Sequence, residues 1–300
     1  PKKRPKFDEF VMFAREQGIE MVDLNLDSSV SELPNDLDCI LHKITDDYAK
    51  SERDEVCKAR MNLWNELLKM NKKATILDPM DGIIPVLKRS SMMQMLQDLA
   101  SSSNLPFSTP ACKHVNVEDI LSHKVSTQDL TALGLRPPFL CKLDAACGVD
   151  NAHVMTVFND VSQLKADVSG ECSIQNFVNH GGIIWKVYVI GNHFYILPRP
   201  SLEDVRSDSQ LPYSFNSQKS CAFKPNSSQE TVDRPKDEDV RKLNNVIREK
   251  LGLTLYGVDI IVEAGTKRQF LIDMNYFPGY HGVTDFYERL SNHIKGMTNK

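Results

Sequence analysis

The stretch "TLYGVDIIVEAGTKRQFLIDMNYFPGY", residues 254–280, limits the fold more than any other part of the chain. Two apolar segments flank the polar turn EAGTKR, the pattern of a buried antiparallel hairpin. A turn centred on Thr266 sets Asp259 opposite Asp273, with Cβ atoms about 4.5–5.5 Å apart. Alternation along the strand puts Asn275 on the face of Asp273. Two carboxylates at about 4 Å repel by roughly 4 kcal/mol at an effective dielectric near 20, which is a large share of a domain's stability. A positive charge is therefore expected between them.

A hard divalent ion with oxygen ligands suits an Asp-Asp-Asn set, and Mg²⁺ held this way is commonly completed by nucleotide phosphates. The alternative is that each aspartate is solvated or paired with a Lys or Arg. Other segments bear on phosphate. Lys142 ends the apolar run FLCK, where a point charge can reach phosphates, and Gly148 follows in a small-residue loop. In "SIQNFVNHGGIIWK" a strand runs into a connection, so Gln175 to Phe177 are placed to offer backbone groups to an adenine. Cations recur where strands end or turn: Lys43, Arg89, Lys142, Lys186 and Arg199, with His42 and His153. Gathered in a chain of net charge -4, they suggest a local pocket for a compact polyanion.

The remaining pattern fixes the class. "FDEFVMFAREQG" reads as a helix stopped by Gly18, "IEMVDLNL" and "LDCILHKIT" as strands, "EVCKARMNLWNELLKMN" as a helix and "ATILDP" as a strand, together an α/β lobe. A helix at "KRSSMMQMLQDLA", a strand at "PFSTPACKHV" and a broken helical stretch from Val117 follow. Next come strands around the 140–158 loop, a Gly191-Asn192 hairpin, a long polar stretch from Leu202 to Arg234, and a helix ending at Gly252. With 41% hydrophobic and 25% charged residues the composition is globular. Neither a nucleic-acid partner nor a membrane partner is expected. The seven scattered cysteines include no C-x-x-C pair and read as reduced thiols, so a cytoplasmic location is expected.

The order of "HKITD", "LDPMDGIIPVLKRS", "FLCK", "QNFVNH", "WKVYVIG", "RPSL", "FNS", "RPKDEDVRKL", "LYGVDIIVE" and "IDMNYFPGY" resembles the inositol 1,3,4-trisphosphate 5/6-kinase family, also called inositol-tetrakisphosphate 1-kinases. The resemblance runs from about Phe10 to the C-terminus. It implies an ATP-grasp fold, α/β and α+β, with an N-terminal α/β lobe (1–84), a central lobe (85–172) and a C-terminal lobe (173–300) holding ATP between the last two. Carried over, Asp259, Asp273 and Asn275 match metal ligands, here for Mg²⁺. Arg89, Lys142, the segment beginning Gln175, Asn176, Phe177, Val178 and ending at Lys186, Ser201 and Ser217 match nucleotide contacts. Lys43, His153, Lys186, Asn275 and Gly279 match positions facing the inositol phosphate, and Arg199 joins them from the polyanion reading.

Cys147 stands where the family carries a His, and the interval from Lys142 to His153 is one residue longer. The family also begins with a strand and a lysine-bearing loop. This chain is expected to start after that strand, with Lys2 or Lys3 in "PKKR" standing for the loop lysine.

The expected function is ATP-dependent phosphorylation of soluble inositol polyphosphates by a monomer. Lys142, Lys186, Asp273 and Asn275 are the catalytic set, and the family's return of phosphate to ADP is part of the expectation. Two alternatives remain: an ATP-grasp carboxylate–amine ligase, and an inositol phosphate-binding module without turnover.

Overall fold

The computed structural model describes residues 7–144, 154–164, 170–217 and 233–298. Helix α1 (Phe7–Glu16) buries Phe10 and Ala14, one turn apart. It ends where Gly18 turns left-handed at φ 76° and Ile19 N–H donates to the Ala14 carbonyl. Residues 19–26, expected as a strand, join no ladder. Leu24 and Leu26 instead pack on a small core of Leu33, Trp64 and Leu67, and Asn25 turns the chain by accepting Asp27 N–H at 3.0 Å. The alternation here serves loop packing, not strand pairing.

Strand β1 (Cys39–Leu41), α2 (Thr45–Lys50), α3 (Glu55–Met70) and β2 (Thr75–Leu77) complete the first lobe, with β1 and β2 parallel. Asp54 starts α3 by accepting the N–H groups of Val56 and Cys57. Next come α4 (Met80–Ile83) and α5 (Arg89–Ser102). The expected strand "PFSTPACKHV" is two, β3 (Phe107–Ser108) and β4 (Cys112–Asn116), in different sheets. Pro110 lies between them and has no N–H to give a ladder.

Helices α6 (Val117–Leu121) and α7 (Thr127–Ala132) carry the expected break, where Ser126 and Asp129 form a capping box. The chain continues through β5 (Phe139–Leu143), β6 (Val154–Phe158), β7 (Glu171–Asn176), β8 (Ile183–Ile190), β9 (His193–Pro200), β10 (Tyr213–Asn216), α8 (Asp237–Leu251), β11 (Leu255–Val262), β12 (Gln269–Tyr276) and α9 (Phe286–Thr298).

The central sheet has the order β10-β6-β5-β7-β4 and is antiparallel throughout. The other large sheet runs β3-β12-β11-β8-β9, with only β3 parallel to its neighbour. The long stretch after Leu202 thus returns a strand, β10, to the central sheet. The expected boundary at 172–173 falls within β7. We keep three lobes as a proposal, with β7 and β10 grouped with the central sheet. The apolar residues follow another division: one core joins Phe10, Leu77 and Ile83 to the β8–β11–β12 sheet and α5, the central sheet has its own around Phe139, Phe158 and Ile174, and the small core of Leu33, Trp64 and Leu67 stays within the first lobe.

A polar clamp ties the first lobe to the hairpin. The Asp78 carboxylate accepts from Thr254 N–H at 2.7 Å, Leu255 N–H at 2.7 Å and Thr254 Oγ1 at 2.5 Å. Its own N–H donates to the Tyr276 hydroxyl at 2.8 Å, and its carbonyl meets His42 Nε2 at 2.7 Å. Asp78 is 1% exposed, and burial pushes its carboxyl above the usual range despite the Thr254 and Leu255 hydrogen bonds. Replacing it strands buried donors that water cannot reach. Asp78→Ala is expected to cost about 3 kcal/mol, read as a lower midpoint in urea unfolding at unchanged slope.

Candidate active site

The hairpin forms as its pattern requires. β11 is buried along its whole length, and Asp259 is the Cα partner of Asp273. Pairing slips by one residue immediately after Asp259, a bulge of the kind that re-aims side chains beside functional sites. On the far side of β11, β8 brings Lys186 directly opposite Asp259, and Lys186 Nζ donates to Asp259 Oδ1 at 2.6 Å. Burial lowers the Lys186 pKa, but Asp259 outweighs it and the net direction is upward, so the ammonium stays charged. Asp259 itself is raised by burial, against the pull of Lys186 and with the Asp273 charge adding to the rise.

Arg89 opens α5 and is 4% exposed. Its Nη1 meets Asp273 Oδ1 at 3.2 Å and its Nε donates to the Leu143 carbonyl at 3.0 Å. One turn on, Met92 Sδ accepts Met274 N–H at 3.1 Å, so α5 grips β12 at two adjacent positions. Asn275 Nδ2 donates to Asp273 Oδ2 at 3.0 Å. Burial would raise the Asp273 carboxyl, but Arg89, Lys142 and Lys186 together hold it below the ordinary value.

Lys142, buried at the end of β5, reaches the Ile272 carbonyl at 3.4 Å. Burial and the Arg89 charge lower its pKa to about 8, against the partial support of Asp273. Lys43 approaches from the first lobe and donates to the Phe277 carbonyl at 2.6 Å. There Phe277 and Tyr280 adopt positive φ around Gly279. A Cβ at Gly279 would lie 2.8 Å from His281 Nε2, the far end of an exposed side chain.

Lys43, Arg89, Lys142, Lys186, Asp259, Asp273 and Asn275 therefore converge, and the carboxylates carry the Lys/Arg pairing raised as the alternative to a metal. Among the described residues no three His, Cys, Asp or Glu side chains form a metal cluster. Two carboxylates and an amide oxygen are an incomplete set for Mg²⁺ alone, and they fit an ion whose other ligands are phosphate oxygens and water.

β7 lies between β4 and β5. The N–H groups of Asn176 and Phe177 are engaged by the Ala111 and Pro138 carbonyls at 3.0 and 2.8 Å, so those two donors do not face a base. Buried His180 shapes the rest of the connection. Its Nδ1 lies 2.8 Å from the Val178 carbonyl and so carries the proton, leaving Nε2 to accept from Ser201 Oγ at 3.0 Å. Burial lowers the His180 pKa and keeps it neutral.

Asp204 Oδ1 accepts the N–H groups of His180 and Gly181 at 2.7 and 2.9 Å. These bonds close a cavity of about 270 Å³ lined by Val157, Phe177, Ser201, Leu202, Tyr213 and neighbours. Arg199 donates to the Ser217 carbonyl at 3.1 Å. His153, Gly148, Cys147, Lys2 and Lys3 lie outside the described residues. Sequence reasoning missed His180, Asp204 and Asp144. The last accepts from Ser90 N–H at 2.8 Å, Ser90 Oγ at 3.0 Å and Ser173 Oγ at 3.2 Å, fixing the start of α5 to the central sheet. Only the His-Gly-Gly run after "QNFVN" marked the first of these as unusual.

Two family models cover nearly all of the chain. The inositol 1,3,4-trisphosphate 5/6-kinase ATP-grasp domain matches residues 102–296, and the pre-ATP-grasp domain of the same kinases matches residues 1–83. The chain belongs to the inositol 1,3,4-trisphosphate 5/6-kinase family.

Among relatives of this family, inositol-tetrakisphosphate 1-kinase of Danio rerio is 29% identical over 98% of this chain and 76% of its own length. Inositol-tetrakisphosphate 1-kinase 1 of Arabidopsis thaliana is 30% identical over 96% of this chain and 89% of its own length. The fold is ATP-grasp. The solved ATP-grasp ligase PsnB, complexed with a minimal precursor, Mg and ADP, superposes with a TM-score of 0.61 at 13% identity, over 99% of this chain and 95% of that one. At that identity the likeness concerns fold alone.

Proposed function

We infer that the chain is an ATP-dependent kinase that phosphorylates hydroxyl groups of soluble inositol polyphosphates. The observation that carries this reading is the meeting of the Asp259–Asp273–Asn275 set with Arg89, Lys142, Lys186 and Lys43, cations placed for phosphate on both sides of the carboxylates. In the proposal ATP lies between the central and C-terminal sheets. Its base enters the cavity lined by Phe177 and Ser201, with Gln175, Asn176, Val178 and Ser217 as further proposed nucleotide contacts. Lys142 and Arg89 neutralise its phosphates. Asp259, Asp273 and Asn275 would hold Mg²⁺, which supplies charge neutralisation on the phosphate oxygens when bound.

The inositol phosphate is proposed to sit against Lys43, His153, Lys186, Arg199, Asn275 and the Gly279 backbone, with one hydroxyl in line with the γ-phosphorus. Phosphoryl transfer depends mostly on positioning and charge stabilisation, so no strong general base is required. Lys186 would follow the developing negative charge, released from Asp259 as phosphate oxygens arrive. An in-line exchange of this kind runs in both directions, and return of phosphate to ADP belongs to the same proposal. No helix among the described residues is long and apolar enough to cross a membrane. We propose a cytoplasmic monomer.

The test is transfer of labelled γ-phosphate from Mg-ATP to a panel of inositol tris- and tetrakisphosphates, with amino acids and dipeptides as controls. Label is expected on inositol phosphates alone. ADP formed only when amino acids are present would replace the kinase with a ligase, and binding of the panel without transfer would leave a binding module.

A further inference from the structure

At the opposite end of the strands that carry Lys186 and Asp259 lies a second cavity, of about 380 Å³. It is bounded by the Gly191-Asn192 turn, the end of α8 and one face of α9. Ile190 is four residues from Lys186 along β8, roughly 13 Å, so this cavity is separate from the catalytic group.

Its walls hold no carboxylate; the charged and titratable residues among them are His193, Arg248, Arg289 and His293. Arg289 is neutralised by Asp285, at 2.8 Å. Arg248 is half-buried, and among the described residues its guanidinium bonds only to Asn245 Oδ1 at 3.2 Å, a neutral group. A partly desolvated guanidinium without a counter-ion seeks an anion, and its fork suits phosphate oxygens.

His293 is fixed on the cavity wall. Thr254 gives its hydroxyl proton to Asp78, so His293 Nε2, 2.8 Å from Thr254 Oγ1, must be the donor there. Gly191 allows this closeness: a Cβ there would lie 2.6 Å from His293 Nδ1. Ile190 and Met297 supply apolar wall.

We propose that this cavity is a second ligand site, for a small organic phosphate whose monoester head meets Arg248 beside the imidazoles while its apolar body packs against Ile190 and Met297. The site is independent of the kinase reading.

Phenyl phosphate is the probe, titrated calorimetrically into the whole chain with its nucleotide site saturated by a non-hydrolysable ATP analogue and Mg²⁺. One equivalent is expected to bind, and Arg248→Gln to weaken binding about tenfold or more. Gly296→Trp is the second variant. A Cβ at Gly296 meets no atom within 4 Å, so the indole can enter the cavity and is expected to remove binding. Neither residue belongs to the catalytic group, and phosphate transfer is expected to persist in both variants. Two outcomes overturn the proposal: no heat up to about 10 mM, or binding that neither variant alters.

Discussion

Asp273→Asn is expected to reduce phosphate transfer at least roughly a thousandfold while the melting temperature moves by only a few degrees. The carboxylate is the hub of the site, touching Arg89 and Asn275 and facing Asp259. Its loss would remove one of the three proposed metal ligands. Stability is expected to hold because two effects oppose each other. Arg89 loses a charged partner but keeps the Leu143 carbonyl at 3.0 Å, and the repulsion between facing carboxylates disappears. Single-turnover assays and thermal unfolding of the same sample separate these effects. Retained turnover in a folded variant would remove Asp273 from the metal site.

The second large effect concerns Lys142. Lys142→Met keeps the bulk of the side chain and deletes its charge, and kcat/KM for ATP is expected to fall roughly hundredfold. The wild-type enzyme should show the same dependence through pH. With the Lys142 pKa lowered to about 8 by burial and Arg89, kcat/KM for ATP is expected to decline as pH rises through that value. kcat should hold to higher pH, because bound phosphates favour the ammonium. Stability moves the other way: between about 8 and the ordinary lysine value the unfolded chain binds more protons than the folded one, so the Lys142 contribution to unfolding free energy rises with pH. A flat kcat/KM profile between pH 7 and 9.5 would remove the charge of Lys142 from nucleotide binding.

The hairpin was readable because three signals coincide there: a polar turn, an apolar segment on each side of it and two aspartates at matching distance from the turn. The slip after Asp259 was not, since a bulge leaves the residue pattern nearly unchanged. Lys186 and Arg89 stood out as strand-end and helix-start cations, but which carboxylate each would meet depends on the sheet order β12-β11-β8 and on where α5 docks. Asp78 was passed over because it reads as a polar residue ending a short strand, and its partners lie 176 and 177 positions away. The false strand at 19–26 is the converse: correct alternation with no neighbouring strand to pair. The partners of the Asn176 and Phe177 N–H groups were equally hidden, since they lie in segments that only the folded sheet brings alongside.

The sharing of apolar cores has a consequence for local stability. Because α1, β2 and α4 of the first lobe share a core with the C-terminal sheet and are latched to it at Asp78, the hairpin that carries the proposed Mg²⁺ ligands belongs to one cooperative unit with them. The central sheet has its own core and reaches that body through contacts that include Ser90 with Asp144, Arg89 with Leu143 and Lys142 with Ile272. Amide exchange should therefore set the central sheet apart, with its amides opening at lower free energy than those of β11 and β12. Nucleotide, by bridging the two units, would act as the mortar that raises the weaker one toward the stronger.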